Sequence, residues 1–196
     1  GVLLGNSAGV GPELVAMLAL RDYYKDYCRP VIIGDLRMFE HGLKVVGGGV
    51  PHYVVNDLSE CDWSKGFPVL ELKDQDPAQV VYGEANAYCG ASDLRQLDTG
   101  IELCKAGKIE GFVFGPFHKG AMKMAGLHDE SEHTYFAHAF SLTTPFCEVN
   151  MMDELMTVRA TSHIPISEVS ANLTETTLRE AIELGEITGE SLGHKP

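Results

Sequence analysis

"GNSAGVGPEL", residues 5–14, lies between a short apolar run, Val2–Leu4, and a helical pattern over Pro12–Leu20. Strand, glycine-rich loop and helix in that order open an α/β unit. Gly9 and Gly11 let backbone approach backbone or a ligand, Pro12 suits a first helical turn, and the free N–H groups beyond Gly11 favour an anion. The loop is not a Walker loop, because no Gly-Lys-Ser/Thr follows, and it is not a full GxGxxG. Its residues are therefore compatible with a tight structural turn as well as with an anion cradle.

Outward from this loop the same alternation continues. Apolar, β-branched runs at Pro30–Ile33, His52–Val55, Val69–Leu72, Gly111–Phe114, Cys147–Met151 and Leu155–Ala160 are interleaved with helical patterns. That is the signature of a mainly parallel sheet covered by helices, an α/β fold. The clearest helix runs over about 84–106, with Leu94, Leu97, Ile101 and Cys104 at helical spacing and Gly107 closing it. Another follows "NLTE", with Asn172 as cap, Glu175 three residues on, and Leu178, Ala181, Ile182 and Gly185 as its buried side. Turn residues throughout 56–77, with one strand pattern, predict an irregular connection or a hairpin there. There are no internal repeats.

Composition bounds the function. With 196 residues, 44% of them hydrophobic, the chain can bury a sizeable core, and a net charge of −13 repels a phosphate backbone, so nucleic acid is excluded as a partner. No apolar run approaches the roughly 20 residues that cross a bilayer, which leaves no membrane role and a cytoplasmic expectation. Cys28, Cys61, Cys89, Cys104 and Cys147 are odd in number, dispersed and without a CxxC pair, which predicts free thiols. The chain begins as if inside a strand and stops after a helix, so it reads as a piece of something longer.

Three further loops hold groups that could carry chemistry. In "FVFGPFHKG" a buried-looking strand ends at Phe114 and delivers His118–Lys119 at its carboxyl end, where open α/β sheets bind ligands. In "SEHTYFAHAF" Ser131 or Glu132 starts a helix whose first turn holds His133 and Thr134, so side-chain donors and backbone N–H groups converge. His138 and His128 read as bystanders. In "MTVRATSHIPI" a strand ends near Ala160 and His163 follows, restrained by Pro165. A metal there needs two or three more ligands, and spacing alone identifies none.

"GNSAGVGPEL", "GPFHKGAMKMAG", "HTYF" and "MM…LMTVRATSHIPI", in this order, resemble the 4-hydroxythreonine-4-phosphate dehydrogenase family, with its G[DE]PAGIGPE loop, GPxxKxxxxxAG segment, GHTE-like turn and T[TS]HxPL loop. The first loop also looks distantly like that of the isocitrate and isopropylmalate dehydrogenases, which share the fold. The resemblance implies a three-layer α/β/α homodimer, two domains in the full-length protein, and an active site between them near the partner subunit. It implies oxidation of a secondary alcohol of a phosphorylated hydroxy acid by NAD or NADP, with a divalent metal (Zn, Co or Mg) and decarboxylation of the 3-keto product. Candidate substrates are 4-hydroxythreonine 4-phosphate, 4-phosphothreonate and 4-phosphoerythronate. A cis-dihydrodiol of an aromatic acid, or a non-catalytic anion-binding role, is the alternative.

Carried over by position, His163 matches the first of the family's three metal histidines, and His133 with Thr134 match a substrate-binding pair. The other two metal histidines belong to NPHAGE-like and YHDQG-like motifs, which do not occur here. The 196 residues thus correspond to roughly the first three-fifths of a member, and this length of chain alone is expected to be inactive. Catalytic and dinucleotide-binding residues are not assigned. Asn6–Ser7 stand where the family usually has Asp/Glu–Pro, which removes a charge beside the presumed pocket. Glu132 and Tyr135 flank His133–Thr134 where Gly and Glu are usual.

Overall fold

Five short strands, β1 (Val2–Leu3), β2 (Ile32–Gly34), β3 (His52–Val55), β4 (Phe67–Glu71) and β5 (Val113–Phe114), form one sheet in the order β3-β4-β2-β1-β5, every neighbouring pair parallel. These come from a computed structural model, which describes residues 1–21, 24–129, 132–152, 155–162 and 164–193. The chain divides into two units, residues 1–129 and residues 130–196.

In the first unit the pleat sends alternate residues to opposite faces. Val2, Leu4, Ile32 and Val69 join Val15, Ala16 and Ala19 of α1 (Gly11–Ala19) and Met38, Phe39 and Leu43 of α2 (Leu36–Val45) in one core. Leu3 and Ile33 point the other way, toward the side of β1 and β2 on which α3 (Ala87–Lys105) packs, with α4 (Lys119–Met124) against it. The result is the expected three-layer α/β/α arrangement. Phe39, Leu3, Ile32, Ile33, Met38 and Leu97 are all fully buried, and each contributes about 1.5–3 kcal/mol relative to exposure.

Of the two readings of segment 56–77, the irregular connection with one strand holds and the hairpin does not: β4 lies within it, parallel to both neighbours and between β3 and β2. Helix α2 was not among the predicted elements, although Met38, Phe39 and Leu43 recur at helical spacing and form its buried face; Asp35 starts it by accepting the Arg37 N–H at 3.0 Å. Finally, among the described residues β5 ends the strand order beside β1, with Val113 60% and Phe114 43% exposed.

The second unit is built differently. Strands β6 (Val149–Met152) and β7 (Leu155–Val158) pair antiparallel, and α5 (Glu132–Ala139), α6 (Val169–Asn172) and α7 (Glu175–Ser191) complete it. Thr174, not Asn172, caps α7: its hydroxyl accepts the Thr177 N–H and the Thr177 hydroxyl accepts the Thr174 N–H, a reciprocal box. The predicted buried face is rotated. Ala181 and Gly185 are half-buried together with Leu184 and Thr188, and Gly185 lies against Val158 of β7, whereas Leu178 and Ile182 are 46% and 70% exposed. Among the described residues no helix is long and apolar enough to cross a membrane.

Candidate functional site

The strand order reverses at β1: β2 lies on one side and β5 on the other. In open α/β sheets the crevice beyond the carboxyl ends of such strands is where ligands bind. Here the glycine loop leaves β1 and the Gly115–Pro116 turn leaves β5, and the two loops are in backbone contact. The Asn6 N–H donates to the Pro116 carbonyl at 2.9 Å. Gly5 has φ +78°, and a Cβ on it would lie 2.6 Å from the Gly115 carbonyl; a Cβ on Gly11 would lie 2.3 Å from the Leu4 carbonyl. These two glycines serve close backbone packing, which favours the structural-turn reading of the loop.

Helix α3 holds the loops in place. Gln96, 1% exposed, accepts the Gly5 N–H at 2.9 Å and donates to the Gly5 carbonyl at 3.2 Å. Asp93, fully buried, uses one oxygen to accept from the Asn6 side-chain amide at 2.7 Å and from the His118 N–H at 3.3 Å. Its other oxygen, Oδ1, has no donor among the described residues. Burial pushes the Asp93 carboxyl up to about 7; the Asn6 and His118 bonds oppose this and the nearby Asp74 charge adds to it. Asn6 is itself 4% exposed, so it lies against α3 instead of lining an open pocket.

His118 also departs from expectation. It starts α4, and its Nδ1 accepts the Ala121 N–H at 3.2 Å, a role a doubly protonated ring cannot fill. His118 is therefore a helix cap. Asp93, Gln96 and Ser92 were missed because α3 was read for its apolar stripe. The buried face actually runs Cys89, Ser92, Asp93, Gln96, Leu97, Gly100 and Ile101, and the polar residues at the same spacing were its only signal.

In the second unit His133 and Thr134 occupy the first turn of α5, as the spacing predicts, both half-buried. Glu132 is the first residue of the helix; Ser131 lies outside the described residues. The His133 Nδ1 stands 3.9 Å from a Glu148 carboxylate oxygen, and the ring packs at a tilt on Phe146 with centroids 5.9 Å apart. The other Glu148 oxygen accepts from Arg159 at 2.6 Å, and Arg159 reaches the Ser162 hydroxyl at 3.3 Å. Glu148 and Arg159 carried no sequence signal, because β6 and β7 must pair before they meet. His128 and His138 are exposed.

His163, the expected metal ligand, lies outside the described residues. Among the described residues no three His, Cys, Asp or Glu side chains converge to hold an ion. The described part of the chain does not by itself make a metal site.

A family model described as "Pyridoxal phosphate biosynthetic protein PdxA" matches residues 26–194. The chain belongs to the PdxA family. Among PdxA relatives, a Pseudomonas aeruginosa protein provisionally named 4-hydroxythreonine-4-phosphate dehydrogenase 2 is 32% identical over 184 residues, covering 93% of this chain and 55% of its own length. A D-threonate 4-phosphate dehydrogenase from Bordetella bronchiseptica is 29% identical over 195 residues, 98% of this chain and 55% of that protein. A crystal structure of a 4-hydroxythreonine-4-phosphate dehydrogenase from Burkholderia phymatum superposes with a TM-score of 0.83 at 24% identity, covering 96% of this chain and 57% of that one, which shows the shared PdxA fold. The chain thus spans little more than half the length of the curated PdxA relatives it matches.

Proposed function

We propose that this chain is the substrate-gripping part of a dehydrogenase acting on a phosphorylated hydroxy acid, oxidising a secondary alcohol with NAD or NADP. The observation that carries the reading is the placement of His133 and Thr134 together at the start of α5 in a PdxA-family chain. Backbone N–H groups at a helix start, a hydroxyl and an imidazole make a donor cluster suited to a phosphate or carboxylate. Glu148, braced by Arg159, limits the positions the His133 ring can take. The names of the relatives support 4-hydroxythreonine 4-phosphate and D-threonate 4-phosphate as the substrate class.

In this reading His163 is the chain's one contribution to a divalent-metal site; the remaining ligands, most dinucleotide contacts and the partner subunit of a homodimer complete the enzyme, and the oxidised acid then loses carbon dioxide. The test is dinucleotide reduction by the full-length protein with a panel of 4-phosphorylated hydroxy acids and added Zn, Co or Mg. Turnover of at least one acid that disappears when its phosphate is removed supports the reading. Absence of turnover across the panel, with the acids still bound, would favour a non-catalytic binding role.

A further inference from the structure

All five strands of the first unit are parallel, so their amino ends share one edge, opposite the edge that carries the glycine loop. At that amino edge is a cavity of about 480 Å³, within the roughly 300–1,000 Å³ of small-molecule sites. It opens where β2, β3 and β4 begin: Pro30 and Pro51 precede β2 and β3, and Phe67 is the first residue of β4.

The lining is selective. The chain holds 28 Asp and Glu among 196 residues, yet among the described residues no acidic one lines this cavity, while Lys25, Arg29 and Lys65 do. Tyr24 packs at a tilt on Phe67, ring centroids 5.1 Å apart, which gives the cavity an aromatic wall. Trp63 forms another, its indole fixed by a hydrogen bond donated to the Pro30 carbonyl at 2.8 Å. The Arg29 guanidinium lies over the Trp63 ring, 5.7 Å from its centroid. Lys65 is held by Asp62 at 3.2 Å, but among the described residues no carboxylate pairs with Arg29. A second cavity, of about 830 Å³, shares Arg29, Pro30 and Trp63, so the cation and the indole stand between two open spaces.

We propose that this amino-edge cavity is a binding site for a planar aromatic anion, its ring stacked on the fixed indole of Trp63 and its charge met by Arg29. A guanidinium on an aromatic face is the group best suited to this double role, because it stacks through its plane and donates through its edge. The aromatic walls bury a flat ring at little conformational cost, and the Arg29 guanidinium in the lining favours an anion. The site is built from residues far in the sheet from the carboxyl-edge loops and does not depend on the dehydrogenase reading.

Trp63 is the single tryptophan in these 196 residues, so its emission reports on the site. The experiment titrates the protein with adenosine 5′-monophosphate and with 1-naphthyl phosphate, using Trp63→Phe as the blank. Adenosine and inorganic phosphate, ring without charge and charge without ring, are the controls. The expected result is a saturable change in Trp63 emission with at least one of the two aromatic phosphates, about tenfold weaker for either half-ligand and about tenfold weaker in Arg29→Gln. No saturable change with adenosine 5′-monophosphate or 1-naphthyl phosphate, or an equal response in Arg29→Gln, overturns the proposal. Arg29 is exposed, so the variant should melt with the wild type. If it does not, amide-shift mapping on the wild type decides: shifts centred on Trp63 and Arg29 support the site, and shifts centred elsewhere overturn it.

Discussion

Asp93 is the residue whose chemistry is least ordinary. Its carboxyl titrates near 7 in the folded chain against about 3.8 when exposed. Between those values the folded chain keeps a proton that the unfolded chain has lost, so Asp93 lowers stability progressively as pH rises from about 4 to about 7 and by a constant amount above that. At roughly 1.4 kcal/mol per pKa unit the ceiling is about 4 kcal/mol. Asp93→Asn keeps an acceptor for Asn6 and His118 and abolishes the titration. Its melting temperature should exceed that of the wild type at pH 8 and converge with it near pH 4; a pH-independent difference would show that ionisation is not the cause. The neighbouring Asn6 completes the logic. Asn6→Asp, which restores the acidic residue usual in the family, would set two carboxyls 2.7 Å apart. It should destabilise by about 2–3 kcal/mol at pH 8 and less in acid, read from denaturant midpoints.

At the scale of elements, the alternation of short apolar runs with helical patterns was enough to read the layers, because parallel strands must be crossed over by helices. What stayed hidden has a physical reason in each case. The polar clamp of Gln96 and Asp93 requires α3 to dock beside the glycine loop, a contact across some ninety positions. Helix α7 is where the sequence predicts a helix but has a different cap, since Asn172 and Thr174 are both good cap residues and only the Thr177 partner selects between them. Thr174→Ala should therefore cost about 1 kcal/mol of α7 stability, seen as faster amide exchange over its first turn, and Asn172→Ala distinctly less. The glycine loop makes a stronger prediction. Gly11→Ala forces a Cβ to 2.3 Å from the Leu4 carbonyl, with Gly5 also in contact, so β1 and α1 must separate. A loss of more than about 2 kcal/mol is expected in chemical denaturation. A neutral result would mean that β1 and the start of α1 are not packed as described.

At the scale of the whole molecule, membership of the PdxA family joins two features that composition could not connect. The first unit braces its glycine loop with buried polar groups, and the second presents His133 and Thr134 at a helix start. The four histidines between residues 115 and 140 accordingly separate into different roles: His118 caps a helix, His128 and His138 are exposed, and His133 is the proposed anion grip. A charge-assisted hydrogen bond of this kind contributes about 1.5–3 kcal/mol, a factor of roughly 10 to 150 in affinity. The direct test is calorimetric titration of the full-length wild type and of His133→Asn with D-threonate 4-phosphate. The account predicts binding weakened within that range in the variant, at unchanged melting temperature, whereas equal affinity of the two proteins would contradict it.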